Sequence, residues 1–500
     1  MYPLIQQVPG SKTAGSIAHS AQFEPDLVFL HTSLFDTPHS RYSFLTARPF
    51  LKFRSFGARC ELASPRGARV QFGDPWQIMA ELLSRYELLD EQDLPFPLGG
   101  CFGYWGYELK QFVEPKLARR ALNDLELPDC QLGFYDSLVA FDHRLDQAWV
   151  ISTGLREDGS RSDEHARAQA EWWIQRLRRP STDEASTGLR AATGTEQGGA
   201  GLFASTLSRA EFVRRVESAQ SYIRAGDIYQ VNLSHRLRAP LDCSGWRFFQ
   251  HLNATSPAPF SAFLNCGEFQ LASSSPELFL RMSGAHVETR PIKGTRPRSR
   301  DGVRDAQLAY ELQTSSKEAA ELVMITDLLR NDLGKCCEYG SVQTPDLLRL
   351  ERFPQVQHLV STVEGRLRSG VTHVEAFAAC FPGGSVTGAP KFRAMEIIEA
   401  LEPVSRGPYT GALGYLGFNR ESQLSIIIRA AVCTNDLVHF SVGAGIVADS
   451  DPEAEYEETL VKARGFIDAL GWEPRAEPGP GPVRGDAYSS APLSGRGGNR

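Results

Sequence analysis

The spacing of apolar and polar positions divides the chain into short strands and amphipathic helices. In the first third, residues 26–31 and 41–46 read as strands, and 76–86 has helical spacing through Ile78, Leu82 and Leu83. Residues 98–107 mix glycine with aromatics, which suits a strand pressed against another layer. The pattern predicts a hairpin from 131–142 and 147–152, then a polar-faced helix over 164–177. A run of Ser, Thr, Gly and Ala follows, with nothing to bury. Ser208-Arg-Ala-Glu211 is then a capping box, opening a helix whose apolar face is Phe212, Val216, Ala219 and Ile223.

Gly226 closes that helix, and 228–234 alternates like a half-buried strand. Residues 260–290 read as a meander, with a two-residue turn at Ser283-Gly284. A second capping box, Ser315-Ser-Lys-Glu318, opens a helix burying Leu322, Ile325 and Leu329, with Glu321 off that stripe. Strands are expected at 411–418, 424–433 and 437–447, and a last helix from Asp451-Pro452 burying Leu460, Ala463, Ile467 and Leu470. The expected organisation is a mixed N-terminal unit over 1–178, a flexible linker over 179–204, a second unit over 205–472 and a disordered tail over 473–500.

Four places carry candidate chemistry. Lys293 lies between Pro291, which fixes the backbone, and Gly294, which removes side-chain bulk so that a ligand can approach. If partly buried, desolvation would free its amine as a nucleophile; the plainer reading is a solvated lysine among Arg290, Arg296 and Arg298. Folding at 283–284 puts Glu277 roughly opposite Arg290, with Lys293 leaving the same end about 10 Å further on. Arg429 interrupts an apolar run, a costly placement unless a bound carboxylate or a protein acid pairs with it. Glu455, Glu458 and Lys462 share one face of the last helix, where two carboxylates suit a hard cation or simply oppose the helix dipole. The glycine-rich stretch Phe381-Pro-Gly-Gly-Ser-Val-Thr-Gly-Ala-Pro-Lys391 feeds a helix and offers amide N–H groups to an anion, but it is not a P-loop.

Composition narrows the class. Of 500 residues, 42% are hydrophobic and 23% charged, as in ordinary globular proteins. A net charge of −7 leaves no basic field for nucleic acid, and no apolar run reaches membrane-spanning length. The N-terminus has neither part of a signal peptide. Nine cysteines without a CxxC pair read as reduced thiols, so the expected location is the cytoplasm.

Taken in order, Ile228-Tyr-Gln-Val-Asn-Leu233, Ser275-Pro-Glu277, Pro291-Ile-Lys-Gly-Thr295, Glu321 with Leu328-Leu-Arg-Asn-Asp332, His358-Leu-Val-Ser-Thr362, the glycine-rich stretch, Gly443-Ala-Gly-Ile-Val447 and Glu455-Tyr-Glu-Glu-Thr459 resemble the chorismate-utilising enzymes. Within them the pattern is most similar to the aminodeoxychorismate synthase component I branch, with anthranilate synthase component I as its sister. The resemblance is dense over 208–470 and looser before it. It implies an α+β fold of two large antiparallel sheets packed as a sandwich, with helices outside.

By position, the resemblance implies that Glu321, Glu455 and Glu458 bind Mg²⁺, which bridges to the ring carboxylate of chorismate. Arg429, Tyr409 and the Gly443–Gly445 backbone match positions holding the enolpyruvyl carboxylate. Ser385, Lys462 and Thr295 match other pocket positions, and His358 lies by the ring. Glu277 matches the general acid for the departing C4 hydroxyl. Lys293 marks the branch: anthranilate synthases resemble this stretch with alanine there, whereas the lysine form is thought to attack C2 before ammonia enters at C4. Gln230 stands where water-adding relatives place a lysine base, which disfavours isochorismate or salicylate synthesis. A separate glutamine amidotransferase subunit is the implied ammonia source, and p-aminobenzoate and folate synthesis the implied destination. The alternatives are anthranilate synthase component I and a non-catalytic chorismate-binding regulator. A Schiff-base lyase would leave the glutamates without a purpose.

Overall fold

Four short interruptions in otherwise buried strands carry the chain back and forth between two antiparallel sheets. The computed structural model describes residues 3–8, 13–34, 40–88, 94–178, 203–353 and 356–471. Most of the expected linker and all of the expected tail lie outside the described residues. The first half contains β1 (Leu4–Val8), α1 (Ala14–Ser20), β2 (Val28–His31), β3 (Tyr42–Thr46), β4 (Leu51–Phe56), β5 (Arg59–Ser64), β6 (Gly67–Phe72), α2 (Pro75–Tyr86), β7 (Gly100–Trp105), α3 (Lys110–Val113), β8 (Cys130–Tyr135), β9 (Ser137–Asp142), β10 (Gln147–Ser152) and α4 (Asp163–Arg178).

The second half opens with β11 (Ala204–Ser205), α5 (Arg209–Arg224), β12 (Gln230–Pro240), α6 (Gly245–Thr255), β13 (Phe260–Asn265), β14 (Gln270–Ser275), β15 (Leu278–Ser283), β16 (His286–Arg290) and β17 (Ile292–Pro297). It continues with α7 (Gly302–Thr314), α8 (Ser316–Gly334), β18 (Gln343–Arg352), β19 (Val356–Arg366), α9 (His373–Cys380), β20 (Gly388–Ala389) and α10 (Lys391–Leu401). It ends with β21 (Ala412–Gly417), β22 (Glu421–Ile426), β23 (Ala430–Cys433), β24 (Leu437–Ile446) and α11 (Pro452–Leu470).

The first sheet runs β1-β10-β9-β3-β2-β13-β14-β23-β24-β12-β11, and the second β17-β19-β16-β15-β22-β21-β7-β8-β4-β5-β6, with β20 and β18 on their flanks. Both halves therefore build both sheets. Each order also repeats about its middle. From the centre outward, β2-β3-β9-β10-β1 is matched by β13-β14-β23-β24-β12, and β7-β8-β4-β5-β6 by β21-β22-β15-β16-β19.

The registers agree. Gly103 faces Gly414 across the centre. Tyr104 pairs with Gln131, and Gln131 with Arg54, which pairs with Glu61. In the second half Tyr415 pairs with Gln423, and Gln423 with Arg281, which pairs with Glu288. The same residue types thus stand at equivalent places in two halves. Both central glycines have positive φ, and a Cβ on either would meet a partner-strand carbonyl, at 2.1 Å for Gly103 and 2.0 Å for Gly414.

The interruptions correct two expectations. Residues 131–142 are two strands split at Asp136, and 424–433 are two strands split by Ile427, Ile428 and Arg429. In each case the apolar run continues while the chain changes sheets, so hydrophobicity alone hides the corner. The remaining corners are 47–50, between β3 and β4, and Pro276-Glu277, between β14 and β15. Between the sheets lies a core containing Phe53, Phe102, Trp105, Phe134, Leu280 and Leu424. A second core, with Trp173, Phe249, Phe440 and Phe466, is closed by the outer helices.

Smaller differences also have local causes. Ser283 pairs with His286, so the hairpin turns at Gly284-Ala285, one residue later than expected. Leu278 faces Arg290, which leaves Glu277 just beyond the open end. α11 buries Glu455, Thr459, Ala463, Phe466 and Ala469, while Ile467 is exposed, because the face carrying Glu455 turns inward. At 315–318 only half of the capping box forms: Ser315 caps the Glu318 N–H, while Glu318 pairs with Arg296. No described helix is long and apolar enough to cross a membrane.

Candidate active site

Two of the sheet-changing corners are stitched together, and they carry Glu277 and Arg429. The Ile426 N–H donates to the Glu277 carbonyl at 3.1 Å, and the Ser274 N–H to the Arg429 carbonyl at 2.9 Å. Ser275 completes the seam, its hydroxyl donating to the Ile426 carbonyl at 2.6 Å. Glu277 is 6% exposed. Burial raises its pKa to about 7, against the opposing pull of the Ser385 hydroxyl and Lys293. Arg429 has φ of +50°, an unusual backbone for a non-glycine residue. Burial lowers its pKa, and no described acid or acceptor pairs with its guanidinium. Of the two partners weighed for Arg429, the protein acid is therefore absent among the described residues.

Lys293 sits on β17, paired to β19 through a bulge at Gly294. Gly294 has φ of +67°, and a Cβ there would lie 2.6 Å from Leu312 Cδ1 and 2.9 Å from Glu318 Oε2. The glycine thus makes room for α7 and α8 rather than for a ligand, which corrects the simpler reading. The bulge turns Lys293 toward α8, where Nζ lies 3.8 Å from Glu321 Oε2. Across the bulge, the Thr295 hydroxyl and His358 Nδ1 are 2.8 Å apart. His358 is buried; burial, with Arg429 beside it, drops its pKa to about 4, so the ring is neutral at pH 7.

The opposite wall is β12 and β24. A Cβ on Gly445 would sit 2.6 Å from Gln230 Nε2 and 3.4 Å from Lys293 Nζ, so this backbone is the surface facing both groups. Gln230 is 2% exposed, and its Oε1 is buried without a partner among the described residues. The Gly443 carbonyl accepts from Lys462 Nζ at 2.9 Å, while Lys462 also pairs with Glu458 at 2.7 Å. Ser385 and Tyr409 are each 8% exposed; the Ser385 hydroxyl lies beside the Glu277 carboxyl, and Tyr409 beside Arg406. Lys293 is thus flanked by Glu277, Glu321 and Gly445, with Gln230 against Gly445, while Thr295, His358 and Arg429 adjoin one another and Tyr409 lies against Arg406.

The three remaining glutamates approach from two helices. Burial raises the pKa of Glu321 on α8, and Glu458 adds to that. Burial likewise raises Glu455 on α11, whose Oε1 accepts from Ser450 at 2.6 Å. Burial also penalises Glu458, but Lys462 outweighs it and brings that pKa down. Three mutually repelling carboxylates have the donor chemistry of a hard divalent cation. Each is held by its own partner, and the described residues include no ready-made cluster of three ligands. Lys317, in the first turn of α8, faces all three.

Sequence reasoning missed the frame behind this cleft. Arg406 is buried against Glu402, and its guanidinium donates to the carbonyls of Asn232 at 2.8 Å and Val386 at 3.0 Å. Glu402 in turn accepts from the Ser234 N–H at 2.8 Å. One ion pair thus holds β12, the glycine-rich loop and the approach to Tyr409. The i, i+4 spacing of Glu402 and Arg406 was the available signal.

A family model described as chorismate binding enzyme matches residues 34–468. The chain is 40% identical to anthranilate synthase component 1 of Thermus thermophilus, covering 83% of this chain and 87% of that protein. It is 37% identical to aminodeoxychorismate synthase component 1 of Salmonella typhimurium, covering 89% and 93%. Among solved structures, anthranilate synthase component I from Streptococcus pneumoniae superposes with TM-score 0.74 at 30% identity, covering 87% of this chain and 94% of that one. The menaquinone-specific isochorismate synthase MenF of Escherichia coli shares the fold, with TM-score 0.67 at 18% identity over 94% of both chains.

Proposed function

This chain belongs to the chorismate binding enzyme family, and on that premise we propose that it aminates chorismate at C4, as an aminodeoxychorismate synthase component I. The observation that carries the reading is Lys293, presented at the cleft between Glu321 and the Gly445 backbone and facing Glu277. Overall identity does not separate the branches, since relatives of both kinds stand at similar distance. Anthranilate synthesis is the second reading, favoured by the 40% identical relative. It leaves a lysine in the cleft with no task.

In the proposed reaction, the substrate's carboxylate pairs with Arg429, a cation with no protein partner among the described residues. Tyr409 and the Gly443–Gly445 backbone border the same region, and the neutral His358 adds no charge beside the ring. Glu277 is protonated below about pH 7 and donates its proton to the departing C4 hydroxyl, which leaves as water. The Lys293 amine forms the bond to C2, and the ring double bond shifts as the hydroxyl departs. Ammonia then adds at C4 and expels the lysine amine. Gln230 Oε1, buried and without a partner among the described residues, is an acceptor available to an N–H donor in this space.

Mg²⁺ would be held by Glu321, Glu455 and Glu458, where it supplies charge neutralisation for the ring carboxylate. Ammonia would come from a glutamine amidotransferase partner. The test is intact mass after mixing enzyme, chorismate and Mg²⁺ without ammonia. The expected gain is one chorismate less one water, absent in Lys293→Ala and lost on adding ammonium. An unmodified wild-type chain throughout turnover would remove the nucleophilic role.

A further inference from the structure

Behind the glycine-rich loop lie two charges with no place in the steps above. Lys391 opens α10, and its ammonium donates to the Cys380 carbonyl, the last residue of α9, at 2.9 Å. The same ammonium pairs with Asp332, near the end of α8. One side chain therefore ties the residue before the loop and the residue after it to one helix. The loop between them, residues 381–390, contains Ser385, whose hydroxyl lies beside the Glu277 carboxyl.

The loop has little slack. A Cβ on Gly383 would lie 2.5 Å from Ile426 Cδ1, and one on Gly384 would lie 2.6 Å from Leu328 Cδ2. Its far end is bonded to β12, the Asn232 N–H donating to the Thr387 carbonyl at 2.8 Å and the Tyr229 N–H to the Ala389 carbonyl at 2.7 Å. Its near end depends on Lys391. Asp332 is 1% exposed, and its other oxygen takes Lys335 Nζ at 2.9 Å. A buried ion pair of this kind adds little net stability over an apolar pair, so its value lies in the geometry it imposes.

We propose that the Asp332–Lys391 pair is a positioning device for the reaction, fixing the glycine-rich loop against the Glu277 corner so that the Ser385 hydroxyl stays beside the Glu277 carboxyl. Neither residue meets substrate; both act through Ser385. The inference rests on Glu277 being the acid, and the charged group that faces Glu277 is Lys293. The Ser385 bond favours the carboxylate, so losing it moves the Glu277 titration upward from about 7.

The experiment is kcat and KM against pH, with ammonium as nitrogen source, for wild type, Lys391→Met, Asp332→Asn/Lys391→Met, Ser385→Ala and Lys391→Met/Ser385→Ala. The Asp332→Asn/Lys391→Met form leaves no unpaired buried charge, so it keeps the test open if Lys391→Met alone fails to fold. We expect kcat to fall roughly five- to tenfold, the worth of one hydrogen bond at the reacting group, with KM for chorismate within about twofold. The alkaline limb should move to higher pH as it does in Ser385→Ala, and combining the two should move it no further. Lys391→Arg should restore the wild-type limb. A limb that stays in place in the folded variants, or shifts that add, would overturn the proposal. A wild type with no limb near pH 7 would instead remove Glu277 as the acid, and the proposal with it.

Discussion

The two halves of this molecule use one topology to opposite ends. In the first half the chain changes sheets at residues 47–50 and at Asp136, and the charges there face one another. Asp136 is 2% exposed, pairs with His165 at 3.1 Å and has Arg48 beside it. Arg48 in turn lies over the Trp172 ring, 5.0 Å from its centroid. In the second half the equivalent corners carry Glu277 and Arg429, with the signs exchanged. Glu277 keeps one hydroxyl and a facing lysine, and Arg429 keeps no described partner. A corner whose charges are paired contributes to the fold. A corner whose charges are left open stores the means to bind and protonate something else.

Substitutions at the corners sharpen the contrast. Glu277→Gln removes the proton donor and should lower kcat about a hundred- to a thousandfold, the range for general acids. Wild-type activity should also decline above about pH 7, because the raised pKa means the acid form is lost there, and the variant should lack that limb. Arg429→Gln should cost about a hundredfold in kcat/KM, the loss of one charge-assisted pair with a carboxylate. Its melting temperature should hold or rise, because an unpaired guanidinium is costly to bury. Asp136→Asn should do the reverse, lowering stability by about 1–2 kcal/mol while activity per folded molecule stays within about twofold. Thermal melts and steady-state kinetics on the same preparations separate the two patterns. A stability loss at Arg429 matching that at Asp136 would erase the distinction.

Much of the site was legible in the sequence because its signals are local. Lys293 stood out through its proline and glycine neighbours, and the hairpin brought Glu277 to the same end. Arg429 was visible as a charge in an apolar run, and Glu455 and Glu458 as acids on one helical face. The corners were not legible, because a strand that changes sheets stays apolar on both sides of the change. The repeat was hidden for a different reason. Arg54, Glu61, Gly103 and Gln131 have counterparts in Arg281, Glu288, Gly414 and Gln423, but β17, α7, α8, β18 and α9 intervene only in the second set. Those inserted elements bring Lys293 and Glu321, so the additions that obscure the repeat also furnish the cleft. Lys391 and Arg406 were given no role because they act on backbone carbonyls, which leave no mark in residue type, and Asp332 and Glu402 because they pair with those two cations.

The central claim is that the open corner and Lys293 together direct nitrogen to C4. Its most direct test is incubation of the protein with chorismate, Mg²⁺ and ammonium at alkaline pH, with the product identified by mass and NMR. The account predicts 4-amino-4-deoxychorismate. Anthranilate as the product would contradict it and place the chain in the sister branch.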